Sequence, residues 1–180
     1  MRKEIIQEIE VPEGVKIHIA NQEIVIKGKE GENKRKLDSR GFIIKQEGNK
    51  IIISNAKSTK KEKKQINTLA AHVRNMIKGV INKYVYDLKV CFNHFPVTVE
   101  VKGDVAFIKN FLGEKVPRQV KIPKGAEIKV NKEKITVTSS DLEIAGQAAS
   151  RLEIGTKIRN RDRRVFQDGI FITKKPGVED

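Results

Sequence analysis

Between Thr156 and Phe166 the chain places Lys157, Arg159, Arg161, Arg163 and Arg164 within eight positions. Arginine dominates this stretch, whereas lysine is preferred elsewhere in the chain. A guanidinium is a planar fork that can take two phosphate oxygens at once and stack on a base, which an ammonium cannot do. The run that follows, Phe166 to Ile172, is apolar enough to form a short return strand. Disordered tails seldom end in Ile-Phe-Ile, so the pattern reads as an arginine arm anchored on a folded body. Phosphate contacts would supply its affinity, and the shape of a structured RNA its specificity. With about six phosphates neutralised, log affinity should fall against log salt with a slope of roughly −4 to −5. A second basic stretch, Lys57 to Lys64, carries five lysines against one glutamate. It reads first as a solvated linker and first helical turn. Cations there oppose the helix macrodipole, which points weakly to an anionic neighbour.

Catalytic chemistry needs a constellation, and the sequence offers none. There is no phosphate-binding loop and no dinucleotide fingerprint, so neither a cofactor nor a small-molecule substrate is expected. Gly28 and Gly31 have the G-x-x-G spacing of one RNA-binding module, but they stand between strand-like segments and read as a hairpin turn. His18, His72 and His94 are scattered, and His72 is expected at the edge of a packed helical face. Cys91 with His94 is half of a metal pattern without its other half, so no metal is expected. As the one cysteine, Cys91 can form no internal disulfide, and its neighbours Val90 and Phe92 suggest a small core residue.

Charge sets the class of partner. Lys+Arg is 37 against 23 Asp+Glu, a net +14 over 180 residues. That excess repels itself in the folded state and calls for a polyanion, nucleic acid first and an anionic membrane surface second. No apolar run approaches the ~18–20 residues of a spanning helix, and charge interrupts the first residues too early for a signal peptide. A soluble, cytoplasmic protein is expected. Hydrophobic residues at 38% are enough for compact cores, and 33% charged residues imply a heavily solvated surface.

The elements that must position the arm come in duplicate. Val15–Asn21 aligns with Val97–Gly103 at an offset of 82, and Ile26-Lys27 with Ile108-Lys109. At 84, Ile44-Lys45 meets Ile128-Lys129 and Lys50–Ser54 meets Lys134–Thr138; at 78, Ala70-Ala71 meets Ala148-Ala149. Alternating β-branched segments predict strands at Ile5–Val11, Val15–Ile19, Ile24–Lys27, Gly41–Gln46 and Ile51–Ser54. The second copy repeats them at Tyr84–Phe92, Val97–Val101, Val105–Lys109, Gln119–Ile122, Ala126–Val130 and Lys134–Thr138. Thr59 with Glu62, and Ser140 with Glu143, have capping-box spacing ahead of helical apolar stripes. Ala and Gly146 on the second helix would let it lie close to its sheet, and Gly155 is placed to end it. The expected fold is α+β: two tandem copies of a small domain, residues 1–82 and 83–180. Each copy is a mostly antiparallel sheet packed against one helix, and the second carries a basic C-terminal extension over 155–180.

The tandem repeat, Ile9–Val15, Lys27–Glu32 and the tail Arg164–Phe171 together resemble the large-subunit ribosomal protein six family over nearly the whole chain. The tail is similar to that of the archaeal and eukaryotic branch, with archaeal preferred. The resemblance implies a non-enzymatic constituent of the large subunit. It implies binding to large-subunit ribosomal RNA near the stalk base and the translation-factor region, beside neighbouring ribosomal proteins. Carried over by position, the RNA-binding residues are Lys157, Arg159, Arg161, Arg163 and Arg164, with Lys174 and Lys175 behind them. Lys115 and Arg118, in an inter-strand loop of the second copy, join them. A stand-alone structured-RNA-binding protein outside the ribosome is the alternative, and an enzyme assembled from scattered residues is a third class that a deep pocket of perturbed groups would favour.

Overall fold

The structure, a computed structural model, describes residues 3–20, 23–36 and 42–177. The chain divides into two compact units, Met1–Lys83 and Tyr84–Asp180. In the first, β1 (Lys3–Glu10), β6 (Lys50–Ser58) and β5 (Ile43–Glu47) form one sheet in the order β1-β6-β5. The strands β2 (Lys16–Ala20), β3 (Glu23–Gly28) and β4 (Gly31–Lys36) form a second sheet in sequence order. One helix, α1 (Lys60–Ile81), closes the unit and contacts β1, β3, β4 and β6.

The second unit repeats this plan strand for strand. β7 (Tyr84–Cys91), β12 (Lys134–Ser139) and β11 (Glu127–Asn131) pair as β1, β6 and β5 do. β8 (Thr98–Lys102), β9 (Val105–Lys109) and β10 (Arg118–Lys121) pair as β2, β3 and β4 do, and α2 (Leu142–Gly155) replaces α1. Every strand pair described is antiparallel. The addition is β13 (Gly169–Lys174), which pairs with the free side of β7 in the register Gly169↔Cys91 and Ile170↔Val90. The C-terminal extension therefore returns as a strand of the sheet.

Each unit has its own core. In the first, Ile24, Ile26, Ile51, Ile53, Ile66, Ala70 and Val80 are all fully buried. In the second, Leu88, Ile108, Ile135, Val137, Ala148, Ala149, Leu152 and Ile170 are fully buried. An aliphatic side chain buried this completely contributes about 1.5–3 kcal/mol relative to leaving it in water. The small face of α2 does what its composition implies. A Cβ on Gly146 would stand 3.2 Å from the Tyr86 hydroxyl, and one on Gly155 only 2.4 Å from Val120 Cγ2.

Several local expectations shift. β4 has no counterpart among the predicted strands, because Gly31–Lys36 contains no apolar side chain and its one buried side chain is Asn33. It forms because the Gly28–Gly31 hairpin delivers it to β3, where Glu32 lies opposite Lys27 and holds both Lys27 (2.9 Å) and Lys34 (3.0 Å). Lys27 beside it, then Lys34, hold the Glu32 carboxyl below its usual range. No linker precedes α1: β6 ends at Ser58, and Thr59 caps the helix with Glu62 in a complete capping box. The second helix is capped instead by Asp141, which accepts the Glu143 N–H at 2.8 Å. Ser140 is displaced from that role because the helix starts one residue later. Burial aligns the helices at 79 rather than 78, matching Ile66, Ala70 and Val73 to Ala145, Ala149 and Leu152, whereas Ala71 is exposed. Gly41 and the turn residue Asn21 lie outside the described residues.

The first hairpin tip is locked to its helix. Glu30 N–H donates to Val80 O at 2.9 Å, and a Cβ on Gly28 would sit 2.7 Å from that oxygen and 2.8 Å from Val80 Cγ2. Gly28→Ala should therefore cost about 2 kcal/mol, the usual penalty of overpacking, in a denaturant melt of the full chain.

Candidate nucleic-acid interface

The arginine stretch is a loop, residues 157–168, running from the end of α2 to the start of β13. Its entry is held by Arg118, the first residue of β10. The Arg118 guanidinium donates from Nε and Nη2 to the Glu114 carboxylate at 2.8 and 2.6 Å. Its Nη1 donates to Gly155 O at 3.0 Å and Lys157 O at 3.4 Å. These are carbonyls at the negative end of α2, where a cation is favoured. Its carbon lies 4.3 Å from the centroid of Phe111. The Arg118 fork holds Glu114 below the usual carboxylate range, with further support from the charge of Arg161.

Thr156 closes the base of the loop. Its buried hydroxyl donates to Glu153 O at 3.1 Å and accepts the Ile170 N–H at 2.9 Å. The exit is held by Asp168, whose carboxylate is buried. Oδ1 accepts the backbone N–H groups of Asn93 (2.7 Å) and His94 (3.2 Å), and Oδ2 meets His94 Nδ1 at 2.7 Å. Burial pushes this acid upward, but the Asn93 N–H and the His94 ring and N–H together bring it below its usual value. His94 is thus an anchor for the loop exit.

Inside the loop, Asn160 takes a left-handed φ of 56°, a conformation asparagine tolerates. Asp162 then organises a turn: its Oδ1 accepts the Arg164 N–H at 2.9 Å, and its carboxylate pairs with the Arg164 guanidinium. The Arg164 side chain and its N–H hold Asp162 below the usual range. Phe166 stacks on the His94 ring at 4.7 Å, and the Arg161 guanidinium lies 4.7 Å from the Phe166 centroid. Phe166 therefore links the His94 ring to the Arg161 guanidinium.

The predicted site residues divide by this geometry. Lys157, Arg159, Arg161, Arg163 and Arg164 are exposed on one pinned loop. Arg118 is half-buried and engaged within the protein, so its clear role is to root the loop. Lys115 is exposed next to Glu114. Lys174 and Lys175 are exposed at the far end of β13, about 16 Å from Gly169 at strand rise, so they are not gathered into the loop. Thr156, Asp168 and His94 are the positioning residues that sequence reasoning missed, whereas Phe166 stood at the start of the expected apolar anchor. Their partners are as far as 75 positions away, and only the buried carboxylate beside an apolar return strand could have drawn attention.

The fold and this surface define a class: a duplicated antiparallel α+β unit whose second copy carries a cationic loop tied at its entry, base and exit. Among the described residues no group of three or more His, Cys, Asp or Glu is placed to hold a metal, and no helix is long and apolar enough to cross a membrane. The family model described as ribosomal protein L6 matches twice, over residues 11–83 and 95–169. A large ribosomal subunit protein uL6 of Methanobrevibacter smithii is 43% identical over 169 residues, covering 94% of this chain and 95% of that one. Similar proteins of Methanococcus vannielii (39%, covering 95% and 94%) and Sulfurisphaera tokodaii (41%, covering 94% and 91%) bear the same name. The chain belongs to the ribosomal protein L6 family. It is a ribosomal protein with archaeal relatives and not an enzyme.

Proposed function

We propose that this chain is a cytoplasmic structural constituent of the large ribosomal subunit that binds and braces large-subunit ribosomal RNA near the stalk base and the translation-factor region. Neighbouring ribosomal proteins there are its other partners. The observation that carries the reading is the loop 157–168, tied at entry, base and exit, with Lys157, Arg159, Arg161, Arg163 and Arg164 exposed on it. A loop ordered before binding loses little conformational entropy on contact, so its charge–phosphate contacts translate more fully into affinity. In this reading the exposed Lys115 extends the contact, and Lys174 and Lys175 make a separate one.

Sedimentation of cell extract tests the assignment. The chain should travel with the large subunit at moderate salt and be released as salt rises. Recovery only in free or small-RNA fractions would favour a stand-alone RNA-binding protein.

A further inference from the structure

A cleft of about 940 Å³ lies beside the arginine loop, between the end of α2 and the edge of β13. Phe92, Phe166 and Phe171 line it, three of the seven phenylalanines in a chain without tryptophan. Phe92 and Phe171 are each 40% exposed. Gly169 leaves room for the Phe171 ring, which would stand 3.1 Å from any Cβ placed there. Lys157 and Arg163, both exposed, also line the cleft, and Glu153 and Gln167 provide side-chain polar groups.

We propose that this cleft receives a single unstacked RNA base, while Lys157 and Arg163 hold its flanking phosphates. The inference rests on the reading that the loop binds large-subunit RNA, and adds a base-binding site to it. Partly exposed aromatic faces are platforms for splayed bases, which have a π-face whatever their identity. Lys157 and Arg163 continue the exposed cations of the loop into the cleft and, against the single partly exposed acid Glu153, favour an occupant that carries phosphate over an apolar side chain of another protein. The buried Asp168 carboxylate is turned to the Asn93 and His94 donors, so its partners are within the protein. Stacking and phosphate contact would therefore act at adjacent points of one nucleotide.

The test uses the full chain and a transcript of large-subunit ribosomal RNA. Phe92→Leu with Phe171→Leu keeps the surface apolar but removes the flat faces. The double variant should bind about tenfold more weakly with an unchanged salt slope, because no charge is lost. Short-wavelength ultraviolet crosslinking of the wild-type complex should leave nucleotide adducts on Cys91, Phe92 or Phe171. Wild-type affinity in the double variant, or adducts confined to 159–164, would overturn the cleft while leaving the loop reading intact. Salt-insensitive binding by the wild type would overturn both.

Discussion

Changing Arg159, Arg161, Arg163 and Arg164 together to Ala should weaken binding to large-subunit ribosomal RNA about 400-fold near physiological salt. Each cation that neutralises a phosphate releases about 0.8 of a condensed counterion, so four of them flatten the log–log salt slope by about 3. The four side chains are exposed and none belongs to either core, so the variant should melt as the wild type does. The shares are unequal. Arg164 already faces Asp162, and that pairing must be shared with a phosphate, so Arg164→Ala alone should cost least. The Arg161 guanidinium stands over the Phe166 ring, which positions it at the loop surface. A filter-binding titration over several salt concentrations reads affinity and slope together. A slope unchanged from wild type would show that other residues carry the phosphates.

Asp168→Ala should have the largest effect on stability, about 3 kcal/mol, and should loosen the loop. Its buried carboxylate accepts from two backbone N–H groups and a ring nitrogen, so the substitution removes three charge-assisted hydrogen bonds at once. Hydrogen exchange should then rise at Asn93, at His94 and through 157–168. The pH dependence has a definite sign. The folded acid titrates below its ordinary value, so its stabilisation is fully present above about pH 4 and is lost as pH falls through the folded pKa. The wild type should lose melting temperature on acidification below that point more steeply than Asp168→Ala. Parallel curves for the two proteins would refute the anchoring role.

Much of this architecture was written in the residue pattern. Among the strands whose apolar side chains alternate, Val105–Lys109 appears with its expected limits and most others within one or two residues of theirs, and the offsets of 82 and 84 align β2 with β8 and β5 with β11. Periodicity fails where a strand buries no apolar side chain, as in β4, whose existence depends on a turn and cross-strand ion pairs. It also does not show that each copy divides its strands between two sheets, because alternation reveals a face but not its partner. The cations were visible as a cluster. What holds them was not, because Arg118, Thr156 and Asp168 work through sets of hydrogen bonds whose key partners, Gly155, Ile170, Asn93 and His94, lie between 14 and 75 positions away. Deleting 156–175 would not isolate the loop, since it also removes Ile170 from the second core. Charge changes alone separate binding from folding.

The most direct measurement is a hydroxyl-radical footprint on intact large-subunit ribosomal RNA, with the wild-type chain compared against the four-arginine variant at equal occupancy. Protection of one compact backbone patch by the wild type, lost in the variant while other protections persist, is the predicted result. The same footprint from both proteins would mean that folded RNA is gripped by some other surface.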